Sequence, residues 1–280
     1  MPAAIGEGTI GGADPMTREI ASVADLAAFD EQPTRKRIGL LLLATDHTTE
    51  RDFERVCVPL GISVHCARIE YANPTTVDNL RRMTPRLTDG AGLILPGETL
   101  DALYYACTAA SVAIGDGTVR EALGRAKPGV PVVTPPSAAL AAFTALGLGR
   151  LALLTPYTAA VTDEVAGYFE GHGLAIGGVA CFGLDDDREM ARLTGDAIVA
   201  AAARAVGPQD DGLFVSCTAL RAFSVVDRIE QRIGRPVVTS NQAALWQVLR
   251  LIGVTPPADA GGMLMRRPLP GAAPPAAEVA

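Results

Sequence analysis

No apolar run in this 280-residue chain reaches membrane-spanning length, because Gly, Arg or Pro interrupts each candidate. The opening stretch, MPAAIGEGTIGGADPMTREI, lacks the basic and apolar segments of a secretory signal, so a soluble cytoplasmic protein is expected. Cysteine is sparse. Cys57, Cys66, Cys107, Cys181 and Cys217 give neither an even framework nor a C-x-x-C pair, and they read as reduced thiols. His47, His65 and His172 are dispersed without metal-ligand spacing, so no metal site is expected. A phosphate-loop Lys-Ser/Thr and a G-x-S-x-G elbow are both missing. GEGTIGG does contain G-x-G-x-x-G at Gly6, Gly8 and Gly11. No strand precedes it and no amphipathic helix follows, which excludes a dinucleotide site. Basic residues number 24 against 31 acidic ones, and no Lys/Arg block stands out. With a formal charge of −7, neither nucleic acid nor a membrane is an expected partner.

What is present is alternation. The aliphatic runs RIGLLLLA, ISVHCARI, ALYYAC, VPVVTP, RLALLTP, LAIGGVACF, DGLFVSC and RPVVTS read as strands. Helical patterns lie between them, many alanine-rich, such as SAALAAFTAL and GDAIVAAAARAV. Near-continuous apolar strands alternating with helices predict an α/β fold with central parallel sheets covered on both faces. The order also repeats. A first unit opens at RIGLLLLA and a second at RLALLTP. In each, a strand ending in Cys-Thr-Ala (YYACTAAS, then FVSCTALR) precedes a helix and a Pro-Val-Val strand (PVVTPPSAA, then PVVTSNQAA).

We read a pseudo-two-fold duplication: two similar α/β domains, 35–135 and 136–241, with the active site in the cleft between them. A helix near 242–254 can cross back to complete the first domain, and Ser240 or Asn241 is expected to cap it. Residues 1–34 read as a flexible arm, and 255–280, rich in Pro, Ala and Gly, as a disordered tail.

A strand ending in Cys-Thr at the start of a helix puts a thiol at the carboxyl edge of a parallel sheet, where open α/β sheets bind ligands. Free N–H groups and positive potential at the helix start favour thiolate and hold carboxylates. On this reasoning at least one of Cys107 and Cys217 should be more acidic than a free cysteine. A single buried cysteine is ordinarily a small hydrophobe. Two at equivalent strand ends, facing one cleft, suit reactions that need a group on each face of a carbon. Proton transfer is one such reaction, and addition of a thiol to an activated double bond is another.

These motifs resemble the aspartate/glutamate racemase superfamily, whose members include amino-acid racemases, maleate isomerase and arylmalonate decarboxylase. The resemblance covers about residues 36–254. YYACTAASVAIG, PVVTPPSAALAAFTALGLGRLALLTPYT, DDREM and SCTALRAFSVVDRIEQRIGRPVVTSNQAALW carry it to the maleate isomerase-like branch. LLLLATDHTTERDF with ILPGETLDALYYACTAAS is most similar to the ectoine-utilisation members of that branch.

The resemblance implies an isomerase without metal or organic cofactor, with Cys107 and Cys217 as the catalytic pair. It implies that Thr108 and Thr218, with the N–H groups of Ala109 and Ala219, hold a substrate carboxylate, and that Tyr157 in LLTPYT donates to one. Two asparagines of maleate isomerases are replaced here, one by His47 and the other by Asp186 or Asp187. An acidic group at that place suits an amine or amide nitrogen better than a second carboxylate. His47 also reads as a plain loop or helix-start residue, and Asp185–Asp187 as a solvated helix start.

The implied activity is racemisation or isomerisation of a small carboxylate, an amino-acid derivative such as one from ectoine breakdown. Maleate-type cis–trans isomerisation, or metabolite binding without catalysis, are the alternatives. A decarboxylase fits less well, because that branch keeps a working thiol only at the second position and Cys107 is present here. Homo-oligomerisation is left open by the sequence.

Overall fold

All eight aliphatic runs become strands, arranged as two parallel four-stranded sheets. The structure is a computed structural model that describes residues 21–31 and 33–271. In the first half, β1 (Lys36–Leu43), β2 (Ile62–Ile69), β3 (Ala102–Tyr105) and β4 (Val132–Val133) lie in the order β2-β1-β3-β4. In the second, β5 (Arg150–Thr155), β6 (Ala175–Cys181), β7 (Gly212–Val215) and β8 (Val237–Thr239) lie in the order β6-β5-β7-β8. The two orders are the same when counted from the start of each half. This is the duplication expected from the repeated sequence motifs.

Burial explains the composition of the strands. β1 is central and flanked on both sides, and seven of its eight residues are buried, so from Ile38 to Leu43 it is aliphatic except at Gly39. β6 lies at an edge and is only partly covered, so its sequence, AIGGVAC, is less apolar. At Gly178 in β6 a Cβ would stand 1.8 Å from the Ala205 carbonyl oxygen, so glycine is what lets the chain at Ala205 approach the strand this closely.

The helices of the first half are α1 (Thr49–Cys57), α2 (Val77–Arg81), α3 (Leu87–Gly92), α4 (Thr108–Ile114), α5 (Asp116–Ala126) and α6 (Pro135–Leu146). The second half contributes α7 (Ala159–Gly171), α8 (Asp187–Met190), α9 (Gly195–Ala205), α10 (Val226–Ile233) and α11 (Ser240–Leu251). The last helix of each half reaches across to the other. Phe143 of α6 packs edge-on against Phe169 of α7 and Phe214 of β7, with centroids 5.5 Å away in both cases. Asn241 of α11 reaches Asp52 of α1 and Tyr104 of β3.

Both crossing helices start with a capping box after Pro-Val-Val-Thr. Thr134 pairs with Ser137, and Thr239 with Gln242. The cap of α11 is therefore Thr239, not Ser240 or Asn241. Thr239 still has extended backbone (φ −117°, ψ 155°), the conformation an N-cap needs. Ser240 and Asn241 are already helical, and their side chains are used elsewhere.

The C-terminal segment also departs from the disordered tail expected of it. Residues 255–271 are described, and a 3-10 turn at Met263–Arg266 buries Leu264 and Met265. Trp246 Nε1 donates to the Arg267 carbonyl at 2.8 Å, and Gln242 Nε2 to the Gly261 carbonyl at 3.0 Å. Two apolar anchors and two side-chain hydrogen bonds outweigh a Pro/Ala/Gly-rich average composition. Residues 272–280 of that tail, and 1–20 and 32 of the arm, lie outside the described residues. The described residues 21–31 and 33 belong to a unit of their own, which holds one 3-10 turn, Ala24–Leu26. Among the described residues no helix is long and apolar enough to cross a membrane.

Candidate active site

Cys107 follows the end of β3 by two residues, and Cys217 follows the end of β7 by two. The cysteines therefore occupy equivalent places at the carboxyl edges of the two sheets. Both are buried, at 7% and 6% exposure. Thr218 Oγ1 donates to the Ala106 carbonyl at 3.1 Å, so the residue after one cysteine touches the residue before the other.

The two loops differ in conformation. Cys107 is extended (φ −155°, ψ 110°) and is the N-cap residue of α4, which directs the Ala110 N–H at its thiol. Cys217 has φ +97°, and residues 218–222 turn before any helix begins. The expectation of a helix starting directly after both cysteines is corrected for the second. There the turn itself aims the N–H groups of Ala219 and Leu220 at the sulfur.

A non-glycine residue at this φ costs about 1–3 kcal/mol, and several contacts hold it. The Cys217 N–H donates to Ser240 Oγ at 3.1 Å. Asn241 Nδ2 donates to the Thr218 carbonyl at 3.0 Å, and Thr48 Oγ1 to the Ala219 carbonyl at 2.7 Å. Ser240 Oγ also pairs with Thr108 Oγ1 at 2.8 Å. One hydroxyl on α11 thus bridges the two cysteine loops. Sequence reading assigned Ser240 and Asn241 only a capping role. Their partners, Thr108 and Asp52, are too distant in the chain to be inferred from local pattern.

Around the thiols the structure gathers most of the residues singled out from the sequence. Thr108, Thr218, Ala109 and Ala219 are all buried beside them. Tyr157 is 3% exposed, its hydroxyl lies 3.4 Å from Ser216 Oγ, and it is close enough to Cys217 to favour that residue's thiolate. Asp187 is buried at the start of α8, where Thr45 Oγ1 donates to its Oδ2 at 2.5 Å.

Asp186 is spent on its own surroundings. It caps α8, pairs with Arg188 and accepts from Asn73 Nδ2 at 3.0 Å. Of the two candidate aspartates, Asp187 is therefore the one beside the thiols. His47 stands apart from this set. It is exposed and lines an outer groove, close enough to Asp187 for its charge to favour the aspartate anion.

Two contributors went unrecognised in the sequence, both in the YANPTT loop after β2. Tyr71 is close enough to Cys107, Asp187 and Cys217 for their charges to hold its phenol above the usual range, although burial is the larger cause. Its hydroxyl pairs with Thr75. Asn73 Oδ1 accepts from the Asp187 N–H at 3.2 Å, and the Thr75 N–H donates to the Asp185 carbonyl at 2.6 Å. The loops after β2 and β6, equivalent in the two halves, are laced together. The strand-end rule, had it been applied to β2, is the signal that would have pointed to this loop.

Burial controls the electrostatics. It pushes the Cys217 thiol up to about 12, and the charge of Asp187 raises it further against the help of Tyr157, Ala219 and Leu220. Cys107 is raised by the same burial, opposed by the Ala110 N–H and reinforced by Asp187 and Cys217. The expectation of an acidified thiol is overturned, because desolvation of a buried sulfur exceeds what one or two backbone N–H groups return. Asp187 is itself pushed by burial up to about 6, with the Thr45 hydrogen bond acting the other way. Among the described residues no cluster of three or more His, Cys, Asp or Glu is arranged to hold a metal ion.

The sequence pattern of the arylmalonate decarboxylase family matches residues 117–265, more than half of the chain. The chain belongs to this family. Arylmalonate decarboxylase from Bordetella bronchiseptica is 31% identical over 182 residues, spanning 64% of this chain and 71% of that protein. Maleate isomerase from Nocardia farcinica is 26% identical over 243 residues, spanning 83% and 96%. The same fold occurs in the crystal structure of a maleate isomerase from Pseudomonas putida, at TM-score 0.76 and 21% identity over 82% of this chain and 98% of that one. It occurs again in a Nocardia farcinica maleate cis-trans isomerase variant with a covalently bound succinylcysteine intermediate, at TM-score 0.74, 23% identity, and 82% and 98% coverage.

Proposed function

We propose that this family member is a cofactor-independent isomerase, a racemase of a small amino-acid derivative with one carboxylate, working in the cytoplasm. Cys107 and Cys217 act from opposite faces of the substrate's Cα. One thiolate takes the Cα proton, and the electron pair left behind delocalises into the carboxylate. The other thiol gives its proton to the opposite face and becomes the thiolate for the reverse turn. The N–H groups and hydroxyls at Thr108, Thr218, Ala109 and Ala219, with the Tyr157 hydroxyl, hold the carboxylate as it gains charge.

The observation that carries this reading is Asp187, a buried carboxylate whose charge bears on both thiols. A substrate nitrogen that is cationic would neutralise Asp187 and attract thiolate, lowering both thiols when bound. A second carboxylate would do the reverse. Two like charges about 4 Å apart repel by about 4 kcal/mol at an effective dielectric near 20, close to three orders of magnitude in affinity. An acylated diamino acid, of the kind ectoine breakdown yields, meets these requirements.

A second reading is cis–trans isomerisation, in which a thiolate adds to a double bond, the new single bond rotates, and the thiolate leaves. Kinship with maleate isomerases favours it. Turnover of both substrate classes by the wild type and by Asp187→Asn separates the readings. The wild type should prefer the nitrogen-bearing substrate. Its rate should rise through about pH 6 as Asp187 ionises, since the anion is the form that attracts a cation. Asp187→Asn should lose that limb and about tenfold or more in kcat/KM. Efficient maleate turnover by the wild type, or an unchanged Asp187→Asn profile, refutes the nitrogen-bearing substrate.

A further inference from the structure

Between α1 and the 218–224 loop an open groove of about 420 Å³ is lined by His47, Thr48, Arg51, Asp52, Arg55 and Arg221, among others. Among the described residues seven arginines lie within 4.0 Å of a carboxylate, and Arg51, Arg55 and Arg221 are among those that do not. Three arginines without a paired carboxylate therefore line one hollow of a chain whose net charge is −7.

Two of them are fixed by contacts that leave donors free. Arg55 lies over the Phe223 ring, 4.6 Å from its centroid, and its Nη2 is 3.5 Å from the Ala260 carbonyl. Arg221 Nη2 donates to the Leu193 carbonyl at 2.8 Å and approaches that of Arg192 at 3.4 Å. A guanidinium has five N–H donors in a planar fork, so each keeps several for a ligand. The Arg51 side chain has no hydrogen-bond partner among the described residues, and it is exposed on α1. The one carboxylate in the lining, Asp52, is buried and turned to Asn241, whose Nδ2 donates to it at 2.9 Å.

We propose that this groove is a second binding site, separate from the buried thiols, for a small oxyanion of the phosphate or carboxylate class. Planar forks suit an oxyanion's paired oxygens. The site shares a wall with the catalytic loop. Arg221 lies four residues after Cys217, and Thr48 of the opposite wall donates to the Ala219 carbonyl at 2.7 Å. An anion bridging Arg51 and Arg221 would tie α1 to the segment that carries Cys217. This chemistry does not depend on the substrate proposed above.

Calorimetric titration of the full chain at constant ionic strength tests it, with inorganic phosphate in one arm and succinate in the other. Saturable binding to one site is expected for at least one anion, and the tighter of the two identifies the class bound. A Cys107→Ser/Cys217→Ser protein should bind equally well. Arg51→Gln, a surface change with no internal contact to lose, should weaken binding about tenfold, and Arg51→Gln/Arg221→Gln more than that. Unchanged affinity in the arginine variants, loss of binding in the cysteine variant, or no saturable binding of either anion would overturn the proposal.

Discussion

Cys217 sits where the backbone favours glycine, with φ +97°, while its counterpart Cys107 is extended at φ −155°. Ordinarily glycine is about 0.5–1 kcal/mol less stable than alanine inside an ordered element. At Cys217 the order should invert, because the steric cost of a Cβ at positive φ is removed. Cys217→Gly is expected to be more stable than Cys217→Ala by about 1 kcal/mol, and Cys107→Gly less stable than Cys107→Ala. Denaturant unfolding of the four variants checks this, and all four should be inactive in turnover. The repeated octapeptide made both thiols legible in the sequence. Their unlike backbones were not legible, since Cys-Thr-Ala is common to both and the positive φ is held by Ser240, Asn241 and Thr48 from elsewhere in the chain.

The start of α11 connects the two halves at the level of elements. Ser240 Oγ contacts the Cys217 N–H and Thr108 Oγ1, and Asn241 joins the Thr218 carbonyl, Asp52 and Tyr104. Removing the Ser240 hydroxyl leaves a buried N–H unpaired, a cost of about 1–3 kcal/mol in stability. Ser240→Ala should lower kcat about tenfold or more with little change in KM, and Ser240→Thr should restore part of it. A merely structural role would lower stability without that division between kcat and KM. TSNQA did identify a helix start. It named the wrong cap, because side-chain roles at a helix N-terminus depend on what the tertiary fold brings opposite. The tail erred for a related reason: Leu264 and Met265 dock as individuals within a segment whose average composition reads as disordered.

Across the whole molecule, strand–helix alternation and the doubled motif were enough to foretell two parallel sheets of matching order. Those features follow from local periodicity and from repetition, which a sequence displays directly. Thiol acidity does not follow from either. It depends on how completely the assembled halves exclude water from Cys107 and Cys217, and here burial exceeds the help given by nearby N–H groups. The resting site is thus a pair of neutral thiols beside one carboxylate, Asp187, on this account made reactive by the charge of the bound substrate.

The account's central claim is that the chain is duplicated so that each half supplies one thiol to one face of the same carbon. Incubating a single enantiomer of an acylated diamino acid in deuterated water tests it most directly, with wild type, Cys107→Ser and Cys217→Ser compared at early times. The account predicts that wild-type product carries solvent deuterium at Cα while recovered substrate retains hydrogen, and that neither serine variant interconverts the enantiomers at a comparable rate. Product that keeps its original hydrogen, or a serine variant that racemises at the wild-type rate, would contradict it.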